Sequence, residues 1–451
     1  MTAFRPERAF LVLGLCAGML FLFLTPPMQV PDEPAHLYRA YQVSEGRLRG
    51  ERLGFESGGV LPRSVPASAE VLDQGVAFHP DRRVDPRVVL AEIRRPLAPQ
   101  DRAFVAFPGS VVYSPVPYIP QGIALAAGRW MGLPPLGLIY LGRLANLLAG
   151  VWLAWMAIRL TPVLKPAFLL LALMPMSVFQ RSSLSADACT NGLALLIAAL
   201  ALEMAFGAGG PVRLPRKLLF VALSALLALC KPMYLTVPLL SLMIPPGRLG
   251  GRGPTLLFLG ILLGTAAGAS IGWARAVQGI YTPYWVGCDP GLQIRHLVTE
   301  PRAVLGIARD ALACFPRLLL GMVGVMGWLD TRLPVSLRVA YLAALALAAA
   351  WEPEPGIRFG IRARAFAISL FALSYLLIGV LIFVLATPVG ALSIKGLQAR
   401  YLIPVAPIAL LALFRSMPPP AWMEGRLGRL SAGFSALALA VAAAVLVRRY
   451  Y

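Results

Sequence analysis

Charge is what this sequence has least of. Only 14% of its 451 residues are charged, against about 25% in an ordinary soluble domain. That deficit excludes a single water-soluble globule and points to the bilayer. Motifs that mark soluble enzymes are also missing. There is no glycine-rich phosphate loop, no His-Glu-x-x-His run and no nucleophile elbow, which argues against a cytosolic nucleotide site. The five cysteines form no metal-ligand spacing. Cys16 falls inside the first apolar run, and Cys189 and Cys230 fall near helix ends. Cys288 and Cys314 share one loop, where an oxidising compartment would permit a disulfide. The first apolar run follows Arg5 and Arg8, as a signal peptide would. It ends in Thr25-Pro26-Pro27-Met28 without a small-x-small cleavage site, so it reads as a retained first helix.

What the chain does have is apolar length. Segments 10–24, 136–158, 192–206, 255–273, 335–351, 365–386 and 435–447 approach the roughly 20 apolar residues that a membrane crossing needs. The fold class expected is all-α and polytopic, with 11–12 membrane segments in one domain spanning 1–451.

The net charge of +20 raises the question of nucleic acid, and its distribution answers it. Segment 26–112 carries Arg39, Arg47, Arg49, Arg52, Arg63, Arg82, Arg83, Arg87, Arg94, Arg95 and Arg102. Against them stand Asp32, Glu33, Glu45, Glu51, Glu56, Glu70, Asp73, Asp81, Asp85, Glu92 and Asp101, so this long loop is neutral. The surplus sits in short connections: Arg5/Arg8, Arg159/Lys165, Arg213/Arg216/Lys217, Arg248/Arg252, Arg358/Arg362/Arg364 and Arg415/Arg426/Arg429. Short basic connections mark the cytoplasmic face. Loops 26–112 and 277–334 then face outward from a bacterial inner membrane, and no nucleic-acid partner is expected.

Two places resist simple counting. Segments 113–132 and 136–158 both look like spans, yet the charge rule wants an odd number of crossings there. Either 115–132 is re-entrant or interfacial, or Arg159 and Lys165 face outward. Pro115, Pro117 and Pro120 favour irregular backbone in the first segment, because each removes a donor. Segment 218–245 is interrupted by Lys231-Pro232. It reads as two half-depth helices that meet near the outer face, which makes Lys231 a candidate cavity residue.

Polar clusters at these helix ends carry the candidate chemistry. In Gln29-Val30-Pro31-Asp32-Glu33-Pro34-Ala35-His36, Asp32 and Glu33 open a helix that should run to about Glu45, with His36 on the same face as Asp32. Two carboxylates beside an imidazole suit general-base work or a divalent cation, magnesium or manganese. The plainer reading of Asp32 is a helix cap. Segment 180–187, with Gln180, three serines and Asp187, leads to Asn191. Asp187 is either a cap or a functional boundary group. In 395–404, Arg400 and Tyr401 begin a span, and Arg400 with Lys231 could clamp a phosphate. In 324–334, Trp328 and Asp330 suit a sugar by stacking and hydroxyl bonding, although interfacial tryptophan is commoner.

These same residues resemble a family. The run 26–46, from Pro-Pro-Met-Gln-Val-Pro-Asp-Glu-Pro-Ala-His through Leu-Tyr-Arg-Ala-Tyr, closely resembles the signature of the bacterial membrane family known as domain of unknown function 2142. So do 113–122, Gln180 to Asn191, 231–234, 327–331 and 398–401. The family is similar to the glycosyltransferase C superfold, whose members carry an acidic motif in the first external loop. Those enzymes take a sugar from a polyprenyl-phosphate carrier with inversion. The resemblance implies that Asp32 and Glu33 form the base or metal site and that Asp187 is a second acid. It implies that His36, Tyr38, Arg39, Gln180, Asn191, Lys231, Trp328, Asp330, Arg400 and Tyr401 meet substrate.

The reading expected is therefore glycosyl transfer, in cell-envelope glycan synthesis, from a polyprenyl-phosphate donor to an extracytoplasmic acceptor. A transporter or flippase of lipid-linked sugars is the alternative, and a non-catalytic scaffold of an envelope-polymer complex is a third. A transporter would place ionisable groups near mid-membrane and often shows inverted repeats. The polar groups here gather at helix ends on one face.

Overall fold

The computed structural model describes residues 4–451 apart from 284, 352–356, 358 and 416–419. Arg358, one of the expected cytoplasmic arginines, lies outside the described residues.

The apolar runs fold as helices because a backbone in hydrocarbon must satisfy its own donors and acceptors. Among the described residues, six helices are long and apolar enough to cross a membrane: Pro6–Leu24 (α1), Pro135–Leu160, Asp187–Phe206, Arg252–Val277, Ile361–Ala386 and Leu427–Tyr450. Other apolar segments are short or broken. Lys165–Leu173 and Pro175–Arg181 form one pass split at Met174. Leu214–Cys230 rises to Lys231, and the 3₁₀ segments Pro232–Tyr234 and Val237–Met243 descend from it. Val335–Ala350 is a single short helix. The 3₁₀ run Ala399–Val405 continues into the helix Ala406–Leu413. Prolines 175, 232, 238, 404 and 407 explain the interruptions, since each removes a donor from its turn. With six candidate crossings among the described residues and further short apolar segments beside them, the chain is a multi-pass, all-α membrane protein. The interruption at Lys231 falls where the sequence indicates.

Between α1 and the second long helix, the chain builds a compact cap. Helix α2 (Glu33–Ser44) is followed by the strands β1 (Glu51–Leu53) and β2 (Glu56–Pro62), then by α3 (Ser64–Asp73) and, later, β3 (Arg102–Ala106). The strands form one antiparallel sheet in the order β1-β2-β3, with Gly58 opposite Ala106. A Cβ on Gly58 would lie 1.8 Å from the Val105 carbonyl oxygen, so only glycine fits there. The cap does not float free. Its core residues Leu37, Tyr41, Val65 and Phe107 form one cluster with Leu138, Ile139 and Leu184 from the bundle.

The two-span ambiguity over 113–158 resolves here. Helix Ile119–Trp130 has 12 residues, and both of its ends touch the cap. Tyr118 bonds His36 at 2.8 Å, while Arg129 donates to the Ser44 carbonyl at 2.9 Å and pairs with Glu45 at 3.4 Å. The segment therefore stays on the cap face without crossing. The crossing is made by Pro135–Leu160, near whose start Arg143 donates to the carbonyls of Leu22 and Thr25 at the end of α1.

The last helix ends on the same face. Arg449 pairs with Asp330 at 2.8 Å and donates to the carbonyls of Val76 and Arg82, while the Val84 amide donates to the Tyr450 carbonyl at 2.9 Å. Asp330 is thus engaged in holding the chain end against the cap. Trp328 donates its ring N–H to the Met28 carbonyl at 2.9 Å and packs on Phe78 with ring centroids 4.9 Å apart. Both side chains are engaged in contacts between cap and bundle, a structural role that the sequence reading did not include. The hairpin that carries them is a clasp between cap and bundle.

Candidate functional site

Where the cap meets the bundle, four charged side chains from distant parts of the chain converge. Asp32 precedes α2 with φ of 64° in the left-handed region, a conformation that a non-glycine residue adopts at some cost. Its side chain makes no cap bond to the helix it precedes. It instead accepts from Arg400 Nη2 at 3.0 Å. Arg400 opens the broken pass Ala399–Val405, and its Nε lies 3.4 Å from Asp187. Asp187 begins its helix after Ala186, which offers no capping side chain. The Asp187 carboxylate pairs with Lys231, at the interrupted pass, and accepts from Gln180 at 2.9 Å. Asn191 in turn donates to Gln180 at 2.8 Å. Neither aspartate acts as a helix cap through its side chain.

Aromatic rings close one side. Lys231 Nζ lies 5.8 Å from the centre of the Tyr113 ring and 5.3 Å from that of Tyr401. Both rings present a negative face to the ammonium. His36 stacks on Tyr113 and bonds the Tyr118 hydroxyl. Burial pushes the His36 imidazole down to about 4, so it is neutral at pH 7. Burial likewise raises the Tyr118 hydroxyl well above its ordinary value. Arg39 is fully buried and donates to the carbonyls of Leu48 at 2.6 Å and Tyr113 at 2.9 Å. It therefore sets the position of Tyr113. Tyr38 packs against Phe107 in the cap, where burial raises its hydroxyl to about 12.

Glu33 turns away from this cluster. Its side chain is fully buried and pairs with Arg143 at 2.6 Å. Both of its oxygens accept from that guanidinium, and they also take the backbone amides of Met28 and Leu184. The expected Asp32–Glu33 pair is split, with the two carboxylates facing different partners. Glu33 fixes the cap to the end of α1.

The split bears on a divalent cation. Asp32 and Asp187 are the carboxylates left in the cluster, and each is already matched by a cation. Among the described residues no group of three His, Cys, Asp or Glu side chains could surround a metal ion. This donor set does not fit magnesium or manganese, which bind through several oxygen ligands.

A cavity of about 240 Å³ reaches the cluster through Pro31, Gln180 and Arg400. Its walls are apolar at Met176, Phe179, Leu318, Val325 and Leu329. They are cationic at Arg317, Arg332 and Arg338. Asp32 is 35% exposed at the side chain, against 7% for Arg400, 8% for Asp187 and 10% for Lys231. It is the acid of the cluster that an incoming molecule can reach.

Of the sequence candidates, Asp32, Asp187, Lys231, Arg400, Gln180, Asn191, Tyr401 and His36 come together. Arg39 stands behind them, and Glu33, Tyr38, Trp328 and Asp330 lie elsewhere. The sequence reading missed Tyr113 and Tyr118 as members, although both belong to the proline-rich motif 113–122. It also missed Arg317, Arg332 and Arg338, because two arginines in the long segment 277–334 and one at the start of the apolar run 335–351 carry no spacing signal.

These features define a class: a multi-pass, all-helical membrane protein with a buried charge cluster beneath a small folded cap. Within that class, the chain belongs to the predicted membrane protein family DUF2142, which matches residues 15–409. No curated protein and no solved structure is matched by the chain.

Proposed function

We propose that the protein is an inverting glycosyltransferase that moves a sugar from a polyprenyl-phosphate carrier to an acceptor hydroxyl. The observation that supports this most directly is the pairing of Asp32 with Arg400 beside an apolar, cationic cavity. Asp32 is the accessible carboxylate and accepts the acceptor's proton. The acceptor oxygen then bonds the anomeric carbon, and the carbon–oxygen bond to the carrier phosphate breaks with its electron pair on phosphate. Arg400 borders the cavity and holds the Asp32 carboxylate in position for that proton transfer. Lys231, covered by Tyr113 and Tyr401, pairs with Asp187, which in turn lies against Arg400. No step requires a metal ion.

The short basic connections at Arg213/Arg216/Lys217 and Arg248/Arg252 lie at the opposite end of the bundle from the cap. By the positive-inside rule the cap and the site then face outward from the bacterial inner membrane. This face suits a role in cell-envelope glycan synthesis.

The test is sugar transfer in proteoliposomes that hold a polyprenyl-phosphate sugar. Asp32→Asn keeps the size of the side chain and removes its charge, and transfer should fall by about 100-fold or more. A transporter of lipid-linked sugars would instead show lipid translocation and no transfer in the wild type. Transfer by Asp32→Asn at the wild-type rate would remove Asp32 as the base.

A further inference from the structure

The charges in the cluster are already matched. Asp32 and Asp187 stand against Arg400 and Lys231, and His36 is neutral at pH 7. The cluster by itself therefore brings no spare positive charge to an anionic ligand. The spare charge lies farther along the same cavity. Arg317 comes from the helix Arg302–Gly324, Arg332 from the clasp hairpin and Arg338 from the second turn of Val335–Ala350. Among the described residues, none of the three has an acidic side chain within ion-pairing distance. The Arg338 Nε is shielded from solvent and has no hydrogen-bond partner.

Arg317 and Arg332 are exposed to solvent, whereas Arg338 is half-buried with an unpartnered Nε, and like charges along one cavity wall repel. A phosphate reverses both effects, because its oxygens accept in the planar geometry that arginine offers. The rest of the cavity is not built for a free ion. Met176, Phe179, Leu318, Val325 and Leu329 give it apolar walls. The two helices that contribute Arg317 and Arg338 also present Leu312, Val335 and Val339 on their exposed surfaces, at 69%, 57% and 51% exposure. These exposed apolar residues offer a hydrocarbon tail a path away from the cavity.

We infer that Arg317, Arg332 and Arg338 form a binding subsite for the phosphate of an isoprenoid lipid, with the tail leaving between these two helices. The assignment rests on the transferase reading for its place in a reaction, but not for the binding itself. In this arrangement the phosphate is held at the arginines and the attached sugar reaches inward towards Asp32 and Arg400.

Binding is measured on the full-length protein in detergent by thermophoresis, without acceptor or turnover. The probes are farnesyl phosphate, farnesol and inorganic phosphate. Farnesyl phosphate should bind at least about tenfold more tightly than either of the others, because only it offers both the anion and the tail. The double variant R332A/R338A should weaken its binding by at least about tenfold, and R332K/R338K should recover part of that loss. Size-exclusion profiles and circular dichroism establish that each variant is folded. Equal binding of farnesol would show that the arginines contribute nothing, and equal binding of inorganic phosphate would remove the lipid. Unchanged affinity in folded R332A/R338A would also overturn the subsite. A protein that binds farnesyl phosphate through these arginines yet transfers no sugar would refute the transferase reading and leave the subsite standing.

Discussion

Arg400 lies 3.0 Å from Asp32 and, through its Nε, 3.4 Å from Asp187, so one guanidinium joins the two acids of the site. The two acids differ in what they lean on. Asp32 is 35% exposed and has one ionic partner, whereas Asp187 is 8% exposed and stands between two cations. Their neutral variants should therefore separate. Asp32→Asn should unfold close to wild type while losing transfer. Asp187→Asn leaves Lys231 buried opposite a neutral amide, a type of loss that costs about 3–5 kcal/mol. Thermal unfolding in detergent checks the contrast, and equal midpoints for the two variants would contradict it.

Glu33 should behave as part of the frame. Its partner Arg143 is as fully buried as it is, and together they tie the cap to the end of α1. Glu33→Gln strands that guanidinium, again at about 3–5 kcal/mol. The fraction of folded protein should fall sharply, while activity per folded molecule stays within a few-fold of wild type. A folded, stable Glu33→Gln without activity would return Glu33 to the catalytic group.

How far the sequence could anticipate this is clearest at adjacent positions. Asp32 and Glu33 are neighbours with the same chemistry, and nothing local distinguishes the acid that pairs with Arg400 from the acid that pairs with Arg143. The deciding partner is an arginine inside the apolar run 136–158, where periodicity shows only a span. Convergence of Asp32, Asp187, Lys231 and Arg400 was readable because each interrupts or borders an apolar segment on one face of the bundle. The clasp was not readable, because Trp328 and Asp330 have the composition of a sugar site. Their partners are a backbone carbonyl at Met28 and Arg449 in the last helix. The run of passes was legible from apolar length, but the short helix Ile119–Trp130 needed its contacts to Ser44 and His36 to be assigned to the cap face.

His36 gives the protein an acid sensitivity of definite sign. Burial holds its pKa near 4, below the ordinary 6.5. Between those values the unfolded chain binds a proton that the folded chain refuses, so stability is full above about pH 6.5 and falls as the pH drops towards 4. A shift of that size corresponds to about 3 kcal/mol. Denaturation curves of wild type and His36→Gln across pH 4–6.5 should diverge, with the variant showing the shallower dependence. Parallel curves would mean that His36 is protonated in the folded protein.

A chelator should leave activity unchanged. The two carboxylates of the cluster are matched by Lys231 and Arg400, and Glu33 is held by Arg143. Transfer assayed in EDTA should stay within about twofold of that in magnesium. A loss restored by magnesium or manganese would require that a cation displace Arg400 from Asp32, and the carboxylate would then be a ligand before it is a base.

The last prediction concerns which face the site occupies, because that decides which pool of donor it can use. The cap carries Phe55 at 94% exposure, and Arg362 is exposed beside the start of the helix Ile361–Ala386. That helix runs from the face opposite the cap towards the clasp side, where Ile394 binds Asp310. Arg216 pairs with Glu203 and Arg248 donates to Ala205, while Phe206 packs on Phe359, three residues before Arg362, so these basic residues share one face opposite the cap. Positive charge in short connections stays in the cytoplasm during insertion, so the cap should be outside. With the five native cysteines replaced, F55C should react with an impermeant maleimide in intact cells, and R362C should react only after the membrane is opened. Native Cys288 and Cys314 are both free in the structure, and replacing them should not alter the fold. Labelling of R362C in intact cells, with F55C protected, would turn the molecule over. The cap and its charge cluster would then face the cytoplasm, and the lipid-linked sugar would have to be taken from the inner leaflet.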